Sequence, residues 1–67
     1  KTKTTAVLDF AEAQLRSKSV EDRDAAVHGL RWVPNKRADQ LLDAAEQVET
    51  DKNVRRAITR VRALRSR

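Results

Sequence analysis

Apolar residues recur along this chain at three- and four-residue intervals, the period of an α-helix, and nowhere alternate long enough to argue a strand. Val7, Leu8, Ala11 and Leu15, flanked by Phe10, form a stripe that predicts helix one over residues 4–17, with Thr4 and Thr5 as candidate caps. The pattern breaks at Ser17-Lys18-Ser19, and Ser19 predicts an N-cap, with Asp22 three residues on in a box-like arrangement. Ala25, Ala26, Gly29, Leu30, Trp32 and Val33 share one face of helix two. Pro34 is expected to end that helix, because the residue before a proline avoids the α region. Asn35 then caps helix three, whose stripe is Ala38, Leu41, Leu42, Ala45 and Val48. Thr50 or Asp51 caps helix four, with Val54, Ala57, Ile58, Val61 and Leu64 in line. The expected fold is all-α, about four short helices joined by short turns, each antiparallel to its neighbour.

The chain also matches itself. A shift of 32 residues places Ser19 on Asp51, Arg23 on Arg55, Ala25 on Ala57, Ala26 on Ile58, Gly29 on Val61 and Trp32 on Leu64. A shift of 34 places Leu8-Asp9-Phe10-Ala11-Glu12 on Leu42-Asp43-Ala44-Ala45-Glu46. Two helices repeating in the low thirties are the signature of a helical solenoid. The string Arg23-Asp24-Ala25-Ala26-Val27-His28-Gly29-Leu30 resembles the Arg-x-Ala-Ala-x-x-Ala-Leu core of HEAT-like repeats of the phycobilisome-lyase type. Asp51-Lys52-Asn53-Val54-Arg55-Arg56-Ala57-Ile58 is similar to the Asp-x-x-Val-Arg-x-Ala-Ala opening of that repeat. Departures stand at Ser19, Asp22 and Arg62. The resemblance covers nearly the whole chain and implies stacked helix pairs serving as a binding scaffold, with no particular ligand. Because each solenoid repeat buries its face on its neighbours, two copies leave open ends. Two readings therefore stand side by side: HEAT-like helix pairs, or a compact four-helix bundle.

Composition narrows the class. Sixty-seven residues allow one domain, residues 1–67, with a modest core, and the lack of an initial Met suggests a piece of a longer protein. The absence of Cys excludes a disulfide scaffold and Cys-ligated zinc. No run approaches the roughly 20 apolar residues of a membrane span, and no secretory leader is visible, which favours an intracellular location.

Catalytic chemistry finds little to work with. His28 is the only histidine; Asp24 lies four residues earlier on the same helix face, which reads as a surface pair. A single glycine excludes a glycine-rich phosphate loop. Asp39, Asp43 and Glu46 form a row on helix three, but a carboxylate metal site of the di-iron type also needs Glu-x-x-His pairs, which are lacking. The row reads as a solvated acidic face. Neither an enzymatic activity nor a cofactor is expected. Trp32, on the side of Ala25, Gly29 and Val33, is assigned to the small core beside Val7, Phe10 and Leu30, with Gly29 and the alanines allowing close approach around its ring.

Charge is the sharpest feature. The net charge is +5, yet residues 1–50 carry 8 Lys+Arg against 9 Asp+Glu, while residues 51–67 carry 7 against Asp51 alone. The whole excess sits in helix four, on Lys52, Arg55, Arg56, Arg60, Arg62, Arg65 and Arg67. Arginine's planar fork suits carboxylate and phosphate alike. The expected function is a non-enzymatic docking module presenting this cationic helix to an acidic protein partner or to neighbouring repeats of the same chain. The alternative is a nucleic-acid-binding domain using the same side chains on phosphates.

Overall fold

The computed structural model describes residues 3–66. Four helices follow one another: α1 (Lys3–Leu15), α2 (Val20–Leu30), α3 (Lys36–Val48) and α4 (Lys52–Arg65). The described residues contain no strand. Three of the predicted caps are in place, with Asp51 rather than Thr50 at α4, whereas Thr4 and Thr5, expected to cap helix one, lie inside α1. Ser19 accepts from the Asp22 N–H, Asn35 from Arg37, and Asp51 from both Asn53 and Val54. The box at Ser19 is closed by a third residue, since the Ser19 N–H donates to Ser17 Oγ and that hydroxyl donates to Asp22 Oδ2 at 2.8 Å.

The core gathers Leu8 and Ala11 of α1, Val27 and Leu30 of α2, Val33 of the turn that follows, Ala38 and Leu42 of α3, and Val54, Ala57, Ile58 and Val61 of α4. Packing runs α1 on α2, α3 on α4, α1 on α3 and α2 on α4, with a smaller contact of α2 on α3, while α1 and α4 do not touch among the described residues. The antiparallel bundle is thus two hairpins laid side by side, α1 and α3 in one layer, α2 and α4 in the other. Its 16 Å thickness matches two layers of helices about 10 Å apart.

Several expectations about the core are corrected. Helix one ends at Leu15 rather than 17, and helix two ends at Leu30, four residues before Pro34. Tight turns follow, with N–H groups of Arg31, Trp32 and Val33 each bonding a carbonyl three residues back. This change of pitch swings Trp32 out to 74% exposure and turns Val33 in. Phe10 (66% exposed), Val7 (48%) and Val48 (76%) are also outside. Ala25 and Gly29 are exposed, and a Cβ at Gly29 would meet nothing within 4 Å. Gly29 therefore serves no close approach here.

Candidate functional site

Helix α4 carries the charge excess, and its geometry sorts those side chains into two groups. Its buried residues, Val54, Ala57, Ile58 and Val61, recur at the spacing of one helix face. Arginines flanking that face reach the rest of the fold. Arg55 Nη1 donates to the carbonyls of Glu46 and Glu49 at 3.1 and 2.8 Å, satisfying the C-terminal end of α3. Arg62 Nη1 meets Glu46 Oε1 at 2.7 Å and Asp43 Oδ1 at 3.2 Å. Arg65 is the most heavily used: it forks onto Asp39 at 2.6 and 3.2 Å and donates to the carbonyls of Leu30, Val33 and Asn35 at 2.7–3.1 Å. That fork holds the Asp39 carboxyl below its ordinary range against the opposing cost of partial burial.

The second group has no such partners. Lys52, Arg56 and Arg60 are exposed and find no acceptor among the described residues. They stand four residues apart, so they form one line about 12 Å long on the side of α4 facing away from the core. Asn53 and Thr59 beside them are also exposed. Arg67 lies outside the described residues.

The acidic row of α3 stays largely exposed, as expected, but is also paired, since Asp39, Asp43 and Glu46 are the acceptors of Arg65 and Arg62. Glu49, which the sequence reading passed over, is the one buried charged residue among those described. Arg23 closes on it through Nε and Nη2, and its carboxylate also accepts the Asp51 N–H at 3.0 Å. Burial opposes its ionisation, but the Arg23 bonds, the backbone N–H groups of Asp51 and Thr50, and the Arg23 charge together hold its carboxyl below the usual range. His28 and Asp24 meet at 3.4 Å on the surface. No group of three His, Cys, Asp or Glu among the described residues is arranged to hold a metal ion. Nor is any described helix long and apolar enough to cross a membrane.

Compared with protein-family models, curated proteins and solved structures, the chain has no significant match.

Proposed function

We propose that this domain is a non-enzymatic helical docking module that meets an acidic protein surface through Lys52, Arg56 and Arg60. One observation carries the reading: on a helix whose Arg55, Arg62 and Arg65 are all held by internal acceptors, these three stand in line, exposed and without an acceptor among the described residues. Desolvating an unpaired cation against a carboxylate gains a charge-assisted hydrogen bond without breaking an existing one. The row is short and carries no aromatic side chain for base stacking, which favours carboxylates spaced on a protein over a nucleic-acid strand.

We also read the two hairpins as HEAT-like repeats. The packing order α1–α3 and α2–α4 supports this, as do the matched caps Ser19 and Asp51. So does a matched bond: Arg23 Nη1 donates to the Ser17 carbonyl and Arg55 Nη1 to that of Glu49, each six residues back.

Fluorescence anisotropy with a labelled glutamate-rich peptide and with random duplex and single-stranded DNA tests the proposal. The expected result is low-salt binding of the peptide, weakened at least about tenfold by Arg56→Glu with Arg60→Glu, while the helical circular dichroism is unchanged. Preferential duplex binding with a log–log salt slope near −3, from about three phosphate contacts, would transfer the row to the nucleic-acid reading. Peptide binding indifferent to the double reversal would remove the row from the function altogether.

A further inference from the structure

An apolar groove of about 300 Å³ runs between α1 and α2 on the face that carries no other helix. From α1 it takes Val7, Phe10, Ala11 and Gln14; from α2 it takes Asp22, Ala25, Ala26 and Gly29. Shifted by 34, the first four positions become Leu41, Ala44, Ala45 and Val48. Those are the α3 residues that line the seam with Glu12, Leu15 and Arg16 of α1. Shifted by 32, the second four become Val54, Ala57, Ile58 and Val61, the buried residues of α4, the helix that packs on α2. All eight positions correspond, and six of the counterparts are buried or packed against the core, while Ala44 and Val48 stay exposed at the edge of the seam. The open groove of the first hairpin is thus the same surface that the second hairpin uses to lie against the first.

We infer that this groove is a docking site for a further helical hairpin, seated as α1–α2 is seated against α3–α4. The internal interface defines its chemistry. On the α1–α2 side, Leu15, Val27 and Leu30 supply the apolar contacts. The partner therefore presents a Leu/Val face from two antiparallel helices. Asp22 occupies the position of Val54 and is exposed, so the partner carries a Lys or Arg opposite it.

A second copy of this chain does not fit head to tail. The surface it would offer corresponds to Glu46, Thr50, Thr59 and Arg62, above the buried Glu49. It is polar, and its Glu46 and Arg62 are already bonded to each other at 2.7 Å. One end of the stack is thereby closed by charge and the other left apolar, with Phe10 66% exposed. The site uses none of the α4 cations proposed above.

The test supplies the hairpin in register by repeating residues 3–35 ahead of residues 2–67 in one extended chain. A docked hairpin adds buried surface, so urea unfolding stays a single transition with an m-value about half again as large and a midpoint temperature several degrees higher. Gly29→Arg at the groove, where a side chain meets open space, does not lower the 67-residue protein's midpoint, since it replaces a helical glycine with a better helix former, but it cancels the gain of the extended chain over that variant. An extended chain that keeps the parent's midpoint and m-value, or a gain that survives Gly29→Arg, overturns the inference. So does a dimer of the 67-residue protein in sedimentation equilibrium that Phe10→Lys dissolves, because the occupant would then be a second copy.

Discussion

Arg23 grips Glu49 through two parallel bonds, Nε to Oε1 at 2.9 Å and Nη2 to Oε2 at 3.2 Å, and so ties the first turn of α2 to the C-cap of α3. The Glu49 side chain is only 5% exposed. Removing Arg23 strands the buried Glu49 carboxylate, so Arg23→Ala should cost roughly 3 kcal/mol, and Glu49→Ala should also destabilise the fold. The paired replacement Arg23→Met with Glu49→Leu should cost far less than either single change, because no buried charge is left. Urea denaturation of the three variants measures this, and a double variant as unstable as the singles would contradict it.

Arg65 draws the turn after α2 onto the end of α4. Its guanidinium serves three backbone carbonyls at 2.7–3.1 Å in addition to Asp39, a load that the three donors of a lysine ammonium cannot carry. Arg65→Lys should therefore destabilise nearly as much as Arg65→Ala, about 2 kcal/mol, by leaving part-buried carbonyls unsatisfied. Hydrogen exchange localises the effect: amides of residues 31–35 should lose protection before those of α1. Equal stability of Arg65→Lys and the parent would show that the turn does not depend on the fork.

Legibility from sequence followed the range of the interaction. Caps at Ser19, Asn35 and Asp51 act over two or three residues, and all were readable. The stripe of α4 was readable because one side of that helix is buried and the other is not. Arg62 and Arg65 lie 19 and 26 residues from Asp43 and Asp39, and only the docking of α4 on α3 brings them together. Helix α1 has a wide apolar arc, of which Leu8 and Ala11 are buried while Val7 and Phe10 remain outside, and periodicity alone cannot divide such an arc. Trp32 was misplaced because a helical wheel was carried past Leu30, where the backbone has already tightened into turns.

Trp32 and Leu30 should consequently respond in opposite ways to truncation. Trp32 has its ring 4.4 Å from the Arg31 guanidinium and is otherwise largely in water, so Trp32→Ala should change stability by less than about 1 kcal/mol. Leu30, fully buried, should cost about 2–5 kcal/mol as alanine, a large share of what so small a core provides. Native tryptophan emission should be red-shifted and readily quenched by acrylamide. A blue-shifted, protected spectrum would place Trp32 back among the core residues.

Acid should weaken the fold earlier than its size suggests. Glu49 and Asp39 both have carboxyls held below their ordinary values of 4.5 and 3.8 in the folded chain. Their stabilising contribution is complete above those ordinary values. As pH falls through them, the unfolded chain takes up protons first, and the contribution shrinks until the folded carboxyls protonate as well. The urea midpoint should therefore be level near neutrality and decline steadily below about pH 4.5. In the Arg23→Met, Glu49→Leu protein carrying Asp39→Asn as well, the decline should be visibly shallower, because the two carboxylates that protonate differently in the two states are gone. A parent midpoint that stays level to about pH 3 would mean that the arginine forks do not hold these carboxyls down.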